Sequence, residues 1–147
     1  MHSSTAGLLP MTLGSIALAL STGCAPAHSQ GDAHNAAVYD AWRAARSHVE
    51  VTAEGTIARV LGTRAGRSGA HEGFLLHLAG AGGRGLTVRV EDNVALTGPI
   101  PLADGEHVEV RGEYIFDARG GIVHYTHRDP RGRHAAGYVL AGGKLYQ

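Results

Sequence analysis

From Val49 onward, apolar and polar positions alternate in short runs separated by glycine-rich stretches, the period-two pattern of half-buried strands. The runs Val49–Leu61, Phe74–Ala79, Leu86–Glu91, His107–Phe116 and Ile122–His127 predict five strands. The fourth run is the clearest. Val108, Val110, Gly112, Tyr114 and Phe116 share one face, while His107, Glu109, Arg111 and Glu113 share the other. Gly62–Gly73, Ala79–Gly85, Asp92–Gly105 and Asp117–Gly121 read as connections, the third being the longest. Five short strands with a long third connection predict a mostly β domain, an OB-like barrel with an SH3-like barrel as runner-up. Gly55, inside the long first run, suits the bend that a small barrel requires. Tyr138-Val139-Leu140 and Leu145-Tyr146 flank Gly142-Gly143 and predict a terminal hairpin over Gly137–Gln147.

Before Val49 the period becomes helical. Asp32 is a candidate N-cap for an amphipathic helix reaching His48, with Val38, Trp42, Ala45 and Val49 on one face. Further upstream, Ala6–Leu20 is an apolar run with the length of a signal-peptide core, and Pro10 breaks it as a membrane span. It ends in Leu20-Ser21-Thr22-Gly23-Cys24, which resembles a bacterial lipobox with its Leu one residue further out than usual. Ala25-Pro26-Ala27 offers a competing site for ordinary signal peptidase. The expected organisation is a lipoprotein-type signal peptide over residues 1–23, a linker over 24–31, a helix over 32–48 and one β domain over 49–147. Cys24 is then the lipidation site, and the protein is exported to the periplasm or outer membrane, with secretion as the alternative. As Cys24 is the single cysteine, no internal disulfide supports the domain.

Charge narrows the partners. Thirteen basic residues balance thirteen acidic ones, so no general attraction to nucleic acid or anionic membrane follows. Aromatics at 5% further disfavour a single-strand binder built on stacking platforms. The balance is uneven along the chain, however. Asp104–Asp117 carries five acids and only Arg111, whereas Arg119–Gln147 carries five bases and only Asp129.

The chemically suggestive segment is Gly120–His134, which holds His124, His127, Asp129 and His134 within eleven residues. Imidazole and carboxylate together permit a divalent transition-metal site, zinc being the first choice, although no cofactor is required. On a continuous strand His124 and His127 face opposite sides, whereas His127 and Asp129 share one; Gly132 could turn His134 back toward them. His127, Asp129 and His134 are therefore the preferred trio, with His71 or a water as a further ligand and Arg131 available to a phosphate. The structural alternative has His127 donating to Asp129, and Arg131 and Arg133 pairing with the acidic fourth strand. No HExxH, paired-cysteine, nucleophile-elbow or phosphate-loop motif is present.

The same segment carries a family resemblance. His124-Tyr125-Thr126-His127-Arg128-Asp129-Pro130-Arg131-Gly132-Arg133-His134 is similar to the HWTHxDPxGxH motif of the exported bacterial family DUF3465, a domain of unknown function. Gly112-Glu113-Tyr114, Gly120-Gly121, Gly137-Tyr138 and Tyr146-Gln147 extend the match, with Tyr125 and Tyr138 where the family has Trp. His71-Glu72-Gly73-Phe74 and Asn93-Val94-Ala95-Leu96 also fit its pattern, which adds His71 and Asn93 to the candidates. The resemblance implies an exported location and assigns no activity. Two functions stand open. One is a non-catalytic envelope module that binds a ligand or protein partner through the basic end and Tyr114, Tyr125 and Tyr138. The other is a metal-dependent hydrolase, acting on phosphodiesters, with the metal at His127, Asp129 and His134. Membrane association is expected only through an acylated Cys24.

Overall fold

The computed structural model describes residues 1–2, 30–80 and 83–147, so the leader, Cys24 and most of the linker lie outside the described residues. The chain forms α1 (Gln30–Arg43), β1 (Val49–Gly66), β2 (Gly69–Leu78), β3 (Leu86–Asn93), α2 (Val94–Thr97), β4 (His107–Ile115), β5 (Ile122–His124), β6 (Tyr138–Ala141) and β7 (Lys144–Tyr146).

Eighteen residues make β1 long enough to serve two neighbours. Val49–Thr56 pairs antiparallel with β4, and Thr56–Gly66 pairs antiparallel with β2. β2 continues to β3, β3 runs parallel to β5, and β5 lies antiparallel to β4. The five strands therefore close into a ring, the OB-like arrangement that the spacing predicts. Gly55 sits where β1 leaves β4 for β2. A Cβ there would lie 2.2 Å from the His77 carbonyl oxygen, so only glycine allows this approach. β6 and β7 form the expected terminal hairpin and extend the sheet from β4.

Period-two alternation directs Val51, Ala53, Phe74, Leu76, Val88, Val90, Val108, Val110, Tyr114 and Val123 into the ring, all buried. Each large apolar side chain contributes about 1.5–3 kcal/mol on burial, and without a cysteine in the described domain this core is the main support. The Tyr114 hydroxyl donates to the Gly120 carbonyl at 3.0 Å, and burial pushes its pKa up to about 12. Glu109, on the outer face of β4, is half-buried and accepts from the Tyr138 hydroxyl at 2.5 Å.

Several expected boundaries move. The helix starts at Gln30, so Asp32 lies inside it, and it ends at Arg43 rather than His48. Ala45 and His48 take positive φ values, Ser47 accepts from the Phe116 N–H, and Val49 belongs to β1. Its buried face is Asn35, Val38 and Ala41, with Trp42 packed beside them. Asn35 holds the helix to the sheet by donating to the Glu54 carbonyl and accepting from the Glu54 N–H, each at 2.9 Å. Most of Gly62–Gly73, expected as a loop, is hairpin instead: β1 and β2 continue to Gly66 and Gly69. The tip lies beyond the ring and is exposed, so no apolar alternation marks it. Finally, β5 ends at His124 rather than His127, because Tyr125 adopts φ 56° and turns the chain.

Candidate functional site

The turn at Tyr125 builds the site. A strand continuing to His127 would have put His124 and His127 on opposite faces. With β5 cut short, both line one open cleft of about 910 Å³, together with His71, Asp129, Arg131 and His134. The cleft runs from the β1–β2 hairpin tip at Ser68, past Asn93 and Leu96, to the loop 125–134.

A left-handed aromatic residue is strained by about 1–2 kcal/mol. Stacking offsets this. The His124 ring stacks on Tyr125 at 4.0 Å between centroids and the His134 ring at 4.2 Å. The two imidazoles occupy opposite faces of the phenol, and each such contact adds about 0.5–1.5 kcal/mol. His127 meets His134 edge-on, with centroids 5.0 Å apart.

Beneath this stack lies a carboxylate that the motif did not reveal. Asp92 continues the inward phase of Leu86, Val88 and Val90 and is fully buried. It accepts from Thr97 Oγ1 at 2.5 Å and from Thr126 Oγ1 at 2.6 Å. Burial raises its pKa, against the opposing pull of both hydroxyls and of His127 and His71. Thr126 thereby pins the segment between Tyr125 and His127 to the core.

The tautomers of the inward imidazoles follow from their partners. His127 Nδ1 lies 2.8 Å from the Arg128 carbonyl oxygen and His134 Nδ1 lies 2.8 Å from that of Ala135. A carbonyl only accepts, so Nδ1 carries the proton in both rings and Nε2 of the neutral ring keeps its lone pair. Neither Nε2 has a hydrogen-bond partner among the described residues, yet neither is a buried orphan, since Arg89 Nε is the one such atom there. Both lone pairs therefore open to the cleft. His71 is built alike: Nδ1 donates to Gly69 at 3.0 Å, but its Nε2 faces Ser68 Oγ at 3.2 Å.

The remaining candidates have structural partners. Asp129 accepts from the Arg131 N–H at 2.8 Å and from the Arg133 N–H, and its side chain is only 2% exposed. The Arg131 amide, followed by the Arg133 amide and charge, holds its carboxyl down to about 2. Thus His127 donates to Arg128 and not to Asp129, and Arg133 pairs with Asp129 and not with β4. Asn93 caps α2 by accepting from the Ala95 N–H and donates to the Ser68 carbonyl, tying the hairpin tip to the cleft floor. His124 Nε2 and His48 Nδ1 both lie 3.1 Å from Glu113 Oε1. His134 Nε2 is 4.0 Å from Asp129 Oδ2. Among the described residues, no three His, Cys, Asp or Glu side chains are disposed to hold one metal ion.

A family model covering residues 16–147 matches this chain, and so spans the ring, the cleft and the His/Asp loop. The chain belongs to DUF3465, a protein family of unknown function. No curated protein and no solved structure matches it. Membership in DUF3465 therefore gives the chain its relatives and leaves the chemistry to the cleft.

Proposed function

We propose that this DUF3465 protein is an exported envelope module that binds a polar ligand without transforming it, in the cleft between the β1–β2 tip and the loop 125–134. The observation that carries the reading is the pair of Nε2 atoms on His127 and His134 that no hydrogen bond occupies, that of His134 lying 4.0 Å from Asp129 Oδ2. Both rings are largely buried and locked in one tautomer by backbone carbonyls, so two acceptors stand preset in an open cleft. Preset polar groups on a rigid wall are what a binding site needs, because little ordering entropy is lost on association. The cleft volume lies in the usual range for small-ligand sites. The leader and Cys24 support the location: acylation there tethers the domain to a membrane, and ordinary cleavage releases it.

Long-range proton–nitrogen NMR of the imidazoles tests the reading, with galacturonate, glucose and zinc as probes. Galacturonate should shift the Nε2 resonances of both His127 and His134, and His127→Ala should abolish the effect. If no probe moves either resonance, the cleft reading fails. Tight stoichiometric zinc uptake that His127→Ala removes would transfer the site to the metal-dependent hydrolase.

A further inference from the structure

Charge around the cleft differs from that of the chain. In the neutral sequence, Arg131 and Arg133 line the cleft on the loop side with Arg128 next to the lining residue His127, Arg67 adjoins the lining residue Ser68 at the hairpin tip, and Arg64 and Arg89 pair with Glu91 of the cleft wall. The carboxylates among and beneath them are engaged, Asp92 by the hydroxyls of Thr97 and Thr126. Glu91 pairs with Arg64 and Arg89, Asp129 with Arg133, and Glu113 with His48 and His124. Arg67, Arg128 and Arg131 have no carboxylate partner among the described residues, and all three are exposed. Lone-pair acceptors at the centre and guanidinium donors on both rims ask for a ligand rich in hydroxyl donors that also carries acidic groups.

We infer that the ligand is an acidic polysaccharide, lying across the cleft with sugar hydroxyls donating to His127 and His134 and its acid groups on the arginine rims. This rests on the cleft reading above and adds the ligand class. The hairpin between the first two strands of an OB-type ring is one of the loops by which such folds grip oligosaccharides. Nucleic acid fits less well. Among the described Phe, Trp and Tyr side chains Tyr125 is the one that is exposed, and two imidazoles already stack on it, so a base finds little free stacking surface.

The test compares polygalacturonate, dextran and a thymidine 20-mer in fluorescence-anisotropy titrations at several salt concentrations. Polygalacturonate should bind at least tenfold more tightly than galacturonate, since exposed ion pairs add about two- to fivefold each, and dextran should not bind. Affinity should fall as salt rises. Arg67→Gln with Arg128→Gln should weaken the polymer about fivefold or more, while galacturonate at high concentration still shifts the His127 Nε2 resonance. Polymer affinity no greater than monomer affinity, with those shifts intact, overturns the acidic-polysaccharide inference alone. Loss of both signals overturns the cleft reading with it. Tighter binding of the thymidine strand than of polygalacturonate would make nucleic acid the ligand and reject the inference.

Discussion

Replacing Thr126 with Val keeps the shape of a fully buried side chain and deletes one proton donor. The donor serves Asp92, also fully buried, at 2.6 Å. A hydrogen bond to a charged group contributes about 1.5–3 kcal/mol, and the methyl that replaces the hydroxyl returns somewhat less than about 1 kcal/mol of transfer energy. Thr126→Val should therefore cost about 1–2 kcal/mol at pH 7, a fall in Tm of roughly 4–8 °C for a domain of this size. Its pH dependence has a definite sign. Asp92 has a raised pKa, set first by burial, so its ionisation weakens the fold above that pKa, and this penalty vanishes below the unfolded carboxyl range near pH 4. Removing Thr126 leaves the ionised form less compensated. The deficit should be largest at neutral pH and narrow toward pH 4. Asp92→Asn, which removes the buried charge and keeps an oxygen acceptor, should match or exceed the wild type at pH 7. Thermal melts of the two single variants and the double variant close a mutant cycle with an expected coupling above about 0.5 kcal/mol. Additive losses, or a Thr126→Val protein as stable as wild type, would refute the account of Asp92 as the anchor of the histidine loop.

Asp129 is the opposite kind of carboxyl: its pKa is held down to about 2, so the stability it lends is present above the unfolded value near pH 4 and lost as pH falls toward 2. Amide exchange at Arg131 and Arg133 should rise across that window in the wild type and show no step in Asp129→Asn; the same step in both proteins would count against the loop assignment. Gly137→Ala should cost about 3 kcal/mol or more, because a Cβ there would meet the Tyr125 carbonyl oxygen at 2.0 Å and that of Arg111 at 2.5 Å. A melting temperature within about 2 °C of wild type would show that the segment shifts freely.

The ring was legible because its residues obey one rule. Val108, Val110 and Tyr114 alternate with charged positions, and β4 lies in the middle of the fold with three partners, so its phase had to be right. Asp92 was legible by the same rule and was missed. Leu86, Val88, Val90 and Asp92 step by two, so a carboxylate stands in core phase, and such a group asks for a partner. The second donor, Thr97, lay hidden in a connection, where α2 covers only four residues. The hairpin tip could not be read from alternation, because beyond the ring neither face is buried.

Site composition was legible where site geometry was not, and the difference turns on the backbone of Tyr125. Strand periodicity assumes negative φ at every step, and under that assumption His124 and His127 must part. One left-handed residue reverses the outcome and gathers His124, His127 and His134 around a single aromatic ring. Nothing local forces this on a tyrosine, since the conformation is unfavourable for its side chain. It is held from outside by Thr126 bonded to Asp92 on one side and by the Gly137 N–H donating to the His127 carbonyl at 3.0 Å on the other. Each tether has its far end, Asp92 or Gly137, outside residues 124–134. The histidine spacing is thus a consequence of the core beneath it, and substitutions at Asp92, Thr126 or Gly137 should disturb the imidazoles as much as substitutions within the motif.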